Sequence, residues 1–457
     1  MSQRQNAAKA ATQPTIQPGS LSPFDAIVIL VGIVVGIGIF RTPSLVAANV
    51  GSEAAFLGIW LLGGLITLIG ALCYAELSAA HPQSGGEYHF LSRAYGRPVA
   101  MLFGWARGTV IQTGAIAGIG FVLGDYAATL WPLGPQGPAI YAALSILALT
   151  AINIAGTYQS KNLQIVVTLI EIGAILAIVA FGLLGTAVNG AVPATSPATP
   201  PDGAALGLAL IFVLLTYGGW NEAAYLTGEV RDAPRNIARV FIVGTVVLVA
   251  IYLAVNAALL ATLGLDGLRA SDAVAADMMR SVAGDAGAGL VSAAILVAAI
   301  STLNATIFTG ARSAAALAHD ISWLAAAGQW NARRRTPARG LVLQAAISLA
   351  LVGFGAVTQD GFRAMVDYAA PVFWGFMLLT GFALFVLRRR EPDRVLPWRV
   401  PLYPLTPALF CLSCGYMLHA SLAHTGAGAL IGLAVLAAGT PLLLFRRREP
   451  AETPLSP

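Results

Sequence analysis

The stretch Val34–Ser44, VVGIGIFRTPS, lies inside the first long apolar run of the chain. A continuous membrane-crossing helix is filled with Leu, Ile, Val and Ala. This run instead carries Gly32, Gly36 and Gly38, followed by Arg41 and Pro43. In a helix interior Gly costs about 1 kcal/mol and Pro about 3 kcal/mol relative to Ala, so the pattern predicts a helix interrupted near its middle. A second apolar run repeats the oddity: FVLLTYGGWNEAAYLTGEV, Phe212–Val230, with Gly218 and Gly219 side by side.

The surrounding sequence supplies the solvent. Of 457 residues, 57% are hydrophobic and only 10% charged, with mean hydropathy +0.76. Soluble domains carry about 25% charged residues; a chain this apolar is an integral membrane protein. Spanning helices need roughly 20 apolar residues, and twelve runs qualify: 23–48, 54–79, 97–130, 137–156, 162–186, 205–228, 237–263, 287–316, 340–357, 362–387, 401–422 and 425–445. Each must satisfy its own backbone hydrogen bonds in lipid, so the expected fold is an all-α bundle. The third and eighth runs are long enough to tilt or bend.

Orientation follows the positive charges. With the N-terminus in the cytosol, 21 of the 26 Lys and Arg residues fall on the cytosolic side, among them Arg333–Arg335, Arg388–Arg390 and Arg446–Arg448. The opposite side holds Arg41, Arg269, Arg280 and Arg363, and its loop between spans 7 and 8 is rich in Asp. Both termini are therefore expected in the cytosol, in the cytoplasmic membrane. The net charge of +5 is a topology signal and does not indicate nucleic acid. The first twenty residues read as a polar tail without a signal-peptide pattern. The segment after span 2, HPQSGGEYHFLSRAYG, is amphipathic and predicts a helix lying in the membrane interface. Cys73, Cys411 and Cys414 sit in apolar runs and read as packing residues. No metal motif, phosphate loop or nucleophile elbow occurs, so neither a cofactor nor catalysis is expected.

Interrupted hydrophobic segments at corresponding positions of two halves point to a transporter binding site. Spans 1 and 6 are five apart, which fits a first repeat at 23–186, an outer loop at 187–204, and a second repeat at 205–387. Helices 11 and 12 follow at 388–445, between tails 1–22 and 446–457. The competing reading is close helix packing through Gly32-x-x-x-Gly36. A break frees backbone N–H groups near Gly38, Ile39 and Phe40, which suit a carboxylate. It also frees carbonyls near Gly36 and Leu215–Tyr217, which suit an ammonium. Such a pair fits an α-amino acid.

The chain resembles the amino acid–polyamine–organocation permeases, in particular bacterial members similar to the L-type amino acid transporter branch. The resemblance runs over about 20–445. It is carried by GIGIF (Gly36–Phe40), GALCYAEL (Gly70–Leu77), SGGEY (Ser84–Tyr88), Thr216–Ile237, STLNATIFTGAR (Ser301–Arg312) and PWRVPLYPLTP (Pro397–Pro407). It implies a five-plus-five inverted repeat plus two helices, with substrate at broken helices 1 and 6. Gly36, Ile37, Gly38, Ile39, Thr216, Tyr217 and Gly218 would then meet the substrate backbone, and Thr113 its side chain. Two departures stand out. Ile37 occupies a position where relatives usually have Ser. Leu215 stands where many have an aromatic gate, so the gate would be thinner or supplied by Tyr217 or Trp220.

Arg107 and Glu171 fall inside spans 3 and 5, each roughly 15 Å from the cytosolic end at 1.5 Å per residue. They could pair with each other. Alternatively Glu171, which follows Gln164 and Thr168 where relatives place Lys, could carry a proton or hold a cation beside Ser301. Glu222 faces a vestibule or pairs with an Arg, and Asn304 bridges helices. The expected function is secondary transport of amino acids, neutral ones by the lack of a fixed charge in the side-chain pocket, with a proton or cation as partner. An uncoupled exchanger remains open. So does a carrier of cationic amino acids or polyamines that uses Glu171 or Glu222 as countercharge. A permease-like nutrient receptor is a third alternative. The sequence names neither the amino acid nor the oligomeric state.

Overall fold

The computed structural model describes residues 21–82, 85–155, 161–189, 203–320, 338–358, 360–424 and 426–441. The side chains at 37, 161–169, 185–189, 204, 311–320 and 424 fall outside that description. The tails, most of the 187–204 loop, Arg333–Arg335, and the side chains of Gln164, Thr168 and Arg312 therefore lie outside the described residues.

The described chain is helical, with one isolated bridge between Leu21 and Val230. Nine of its helices are long and apolar enough to cross a membrane, and three shorter apolar helices, Pro23–Val34, Ile170–Leu184 and Ala427–Ala437, fall on expected spans 1, 5 and 12. Large apolar side chains such as Leu61, Leu65, Leu144, Leu147 and Leu176 are exposed along the outside of the bundle, which suits contact with lipid.

The first helix, α1 (Pro23–Val34), begins with a capping box: Asp25 N–H donates to Ser22 Oγ at 3.2 Å and Ser22 N–H to Asp25 Oδ2 at 3.1 Å. Such reciprocal caps satisfy the orphan donors of a helix start. The helix ends at Val34. Gly36 is extended (φ −114°, ψ −176°), and a 3₁₀ turn at Ile37–Phe40 leads into α2 (Thr42–Ala48). Span 1 is thus broken where the glycines predict. Span 6 behaves alike. Its first half, α9 (Gly203–Thr216), stops before Gly219, whose φ of 100° is a left-handed geometry that favours glycine. Short 3₁₀ turns and the four-residue helix Ala223–Leu226 (α10) complete it.

Between these lie α3 (Glu53–Ala80), α4 (Gly86–Tyr95), α5 (Arg97–Ala106), α6 (Gln112–Leu130), α7 (Gly137–Ala155) and α8 (Lys161–Asn189). A π turn at Arg107–Ile111 joins α5 to α6 and bends span 3. After span 6 come α11 (Ala233–Ala270), α12 (Val274–Asp320), α13 (Ala338–Ala356), α14 (Gly361–Arg390), α15 (Leu405–His424) and α16 (Ala427–Ala437). α11 packs along α3 and α1, and α12 lies against α6 and α8.

Two expectations change. The 7–8 connection is largely helical rather than a loop: α11 and α12 extend into it, each kinked at a positive-φ glycine, Gly264 and Gly284. The amphipathic segment does form a helix, α4, but it docks on α5 and α14 with Glu87, Phe90, Leu91 and Ala94 buried. Its polar residue Glu87 is 3% exposed and lines an internal cavity, which a helix lying flat in the interface would not do.

Candidate functional site

The two breaks touch. A Cβ built on Gly38 would lie 3.7 Å from Thr216 Cγ2, and one on Gly219 would lie 3.5 Å from Val34 Cγ2. Around Gly36 the nearest neighbours of such a Cβ are Val34 O at 3.8 Å and Thr302 Cγ2 at 4.0 Å. Tight helix packing through Gly36 therefore has no support. The packing glycines of this protein are elsewhere: at Gly70 a Cβ would come within 2.8 Å of Trp220.

A cavity of about 750 Å³ opens on both breaks, lined there by Gly36, Gly38, Leu215, Thr216 and Gly218. Gln112 from α6, Glu171 from α8, and Ser301 and Thr302 from α12 form its sides. It continues toward the Arg388 end of the bundle, past Arg107 and Phe376, to Glu87, Asn221 and Glu222.

A buried tyrosine that the sequence reading missed holds the breaks in register. Tyr252 Oη on α11 lies 2.7 Å from the Val34 carbonyl and 3.2 Å from that of Thr216, in position to donate to either. One hydroxyl proton serves one carbonyl at a time; the Val34 carbonyl also accepts from Gly36 N–H at 2.7 Å. Trp60 and Tyr217 pack their rings on Tyr252, with centroids 6.1 and 4.9 Å away. Of the other expected carbonyls, Leu215 O accepts from Gly218 N–H at 3.0 Å.

The charges within the membrane are distributed differently from the sequence expectation. Arg107 does not pair with Glu171. Its Nη2 donates to both oxygens of Glu222, at 2.8 and 2.9 Å, and its guanidinium lies 4.6 Å from the centre of the Tyr225 ring. Equal depth along two helices does not fix the direction each side chain faces, and the π turn that begins at Arg107 resets that direction. Glu171 is 4% exposed, and its Oε1 has no hydrogen-bond partner among the described residues.

Glu87 Oε1 accepts from Asn221 Nδ2 at 2.5 Å and from Tyr74 Oη at 3.4 Å. Burial holds its carboxyl above the ordinary carboxylate range, against the opposing pull of Arg107. At the same end, Leu21 N–H donates to Glu229 O at 2.9 Å and Arg231 N–H to Leu21 O at 2.8 Å, tying the start of span 1 to the end of span 6.

A cluster of charges lies beyond the break in span 1. Arg41, expected at a watery rim, is 6% exposed and sits among three carboxylates. Its Nη2 is 2.7 Å from Asp360 and 3.2 Å from Asp272, and its Nε is 3.5 Å from Asp125. These come from α14, the α11–α12 turn and α6. Close by, Tyr126 Oη donates to Phe40 O at 2.8 Å and accepts from Ala275 N–H at 3.4 Å.

The remaining expected residues are placed as follows. Ile39, Tyr217 and Trp220 are buried and do not line the cavity; Trp220 packs on Tyr74, Phe241 and Phe410. Of the three expected gate residues, only Leu215 lines the cavity, because the two aromatic rings are committed to the core. Thr113 is also buried off the cavity, with its hydroxyl donated to Thr109 O. Asn304 Oδ1 accepts from Asn153 Nδ2 at 2.6 Å, a bridge between α12 and α7. The side chain of Ile37 lies outside the description. Cys73, Cys411 and Cys414 are buried free thiols, and no cluster of metal-ligating side chains occurs among the described residues.

The described residues thus form a helical bundle with two broken helices that share a cavity. A family model described as amino acid permease matches residues 21–436, and the chain belongs to that family, a branch of the amino acid–polyamine–organocation superfamily. It is similar to the serine/threonine exchanger SteT of Bacillus subtilis (strain 168), 28% identical over 428 residues that cover 90% of this chain and 94% of the relative. The large neutral amino acids transporter small subunit 2 of Mus musculus is 28% identical over 91% of this chain and 78% of its own. The b(0,+)-type amino acid transporter 1 of Mus musculus is 29% identical over 82% of this chain and 77% of its own. These relatives are transporters, not enzymes.

Proposed function

We propose that this protein is a secondary transporter of amino acids that works by alternating access in the cytoplasmic membrane, with the Arg388 end and both termini in the cytosol. The two repeats at 23–186 and 205–387 would rock around the breaks. The substrate carboxylate would take backbone N–H groups at Gly38 and Ile39, and its ammonium the carbonyl of Thr216. Neutral amino acids are the substrates proposed first, consistent with the serine/threonine and large neutral amino acid relatives. A proton carried on Glu171 is the proposed coupling.

One observation carries this reading: a cavity of about 750 Å³ is lined by both breaks together, and span 1 just beyond its break is held by Arg41 among three carboxylates. A cavity at paired helix breaks, beside a charge cluster that can part, is what alternating access requires. The test is uptake of the twenty labelled amino acids into proteoliposomes at two pH differences. Selective uptake is expected, with a pH response that Glu171→Gln removes. Flat uptake for all twenty would sink the proposal, and an unchanged pH response in Glu171→Gln would remove the proton role.

A further inference from the structure

The charged side chains that line the cavity, among the described residues, are Glu87, Arg107, Glu171 and Glu222. Arg107 is committed to Glu222 by two hydrogen bonds. Glu87 accepts hydrogen bonds from Asn221 and Tyr74. Glu87 and Glu171 are both deeply buried on the cavity wall with one oxygen lacking a partner among the described residues, but only Glu87 receives donors on its other oxygen and has Arg107 pulling on its charge. The helices packed against α8 are α11 and α12. From α11 the titratable group beside Glu171 is Tyr252, whose hydroxyl is taken by backbone carbonyls. From α12, Ser301 and Thr302 share the wall and carry no charge. On α8 the only other charged residue is Lys161, at the helix start.

We infer that Glu171 sets a charge rule for the cargo: the occupied cavity moves with one positive charge supplied to Glu171. A zwitterionic amino acid is then accompanied by a proton on the Glu171 carboxylate. An amino acid with an ammonium or guanidinium side chain supplies the charge itself and travels without the proton. The physical reason is that an unpaired ionised carboxylate in the membrane interior costs several kcal/mol, so the state that crosses is the neutralised one. The inference rests on the transport reading above and adds a second substrate class, cationic amino acids, with a fixed proton difference between the two classes.

The test uses the purified full chain in proteoliposomes with a pH dye in the lumen. Vesicles are loaded with arginine and challenged with external leucine. The expected result is exchange with acidification of the lumen, about one proton per leucine entering; the sign is the same for either orientation of the protein. Leucine-for-leucine exchange should leave the lumenal pH unchanged. In Glu171→Gln, which keeps size and polarity, arginine affinity should fall more than about tenfold, and any remaining exchange should move no protons. Rapid leucine–arginine exchange without a pH change in the unaltered protein would overturn the rule. So would leucine–leucine exchange with no acceptance of arginine, or an unchanged arginine-to-leucine preference in Glu171→Gln. If leucine is not carried, the neutral amino acid taken up best replaces it; absence of exchange with any of the twenty would instead overturn the transport reading and this inference with it, so the two failures are told apart.

Discussion

Arg41 Nη2 stands 2.7 Å from Asp360 Oδ2, across 319 residues of sequence. The same aspartate caps α14, with Arg363 N–H donating to its Oδ1 at 2.9 Å. One carboxylate thus starts a helix and fastens it to the broken span 1. Asp360→Asn keeps the cap, since Asn serves there as well as Asp, and removes the charge. Charge-assisted hydrogen bonds contribute about 1.5–3 kcal/mol, so opening at the Arg41 end should become about 10–150-fold more frequent. A Thr42→Cys probe, buried on the cavity wall, reports this as faster labelling by a membrane-impermeant thiol reagent. An unchanged rate would mean that Asp125 and Asp272 hold the closure without Asp360.

Tyr252→Phe keeps the ring contacts with Trp60 and Tyr217 but removes the donor between Val34 and Thr216. A net hydrogen bond of about 0.5–1.5 kcal/mol corresponds to a 2–10-fold rise in KM for uptake, with a smaller change in the maximal rate. Equal losses in both parameters would indicate damage to the scaffold rather than to the site.

Gly38→Ala distinguishes a ligand glycine from a packing glycine. Its Cβ would meet Thr216 only at van der Waals distance, whereas a Cβ on Gly70 would collide with Trp220 and Phe410. Gly38→Ala is therefore expected to keep its thermal midpoint in detergent while losing uptake about tenfold or more, as a methyl group displaces a ligand from the backbone. Gly70→Ala should lower the midpoint itself. A matched loss of stability in both would refute the distinction.

Glu87 gives a pH dependence with a definite sign. Its folded carboxyl is raised above the reference 4.5 by burial. A raised acid contributes stability that is fully present below the unfolded value and lost as pH rises through the folded value. Thermal midpoints should therefore decline from acid toward neutral pH, and Glu87→Gln, which can still accept from Asn221, should flatten that decline. A parallel decline in the variant would place its origin elsewhere.

Much of this architecture is legible in the chain itself. Low charge and long apolar runs require a helical membrane fold, because lipid offers no partner for an unsatisfied backbone. The glycine clusters locate both breaks, since helix-breaking residues act through their own φ and ψ. The cap at Ser22 and Asp25 spans only four residues and is local in the same way, although the span is read from its apolar run alone. Asn304 as a bridge between helices is also recovered. What fails is pairing. Arg107 and Glu171 lie at similar depth by residue count, yet Arg107 turns to Glu222 and Glu171 remains alone. No periodicity reveals the π turn that redirects span 3, and no signal in VLVAIYLAVN distinguishes Tyr252 from any core tyrosine.

The sequence by itself determined what is encoded over one or two helical turns: the membrane as solvent, the helices, their caps and their two interruptions. The tertiary structure alone decided which charges meet. Partner choice depends on the rotation and bend of helices packed from distant parts of the chain. It is that packing which closes Arg41 behind three carboxylates, couples the two breaks through Tyr252, and leaves Glu171 as the cavity's uncompensated carboxyl.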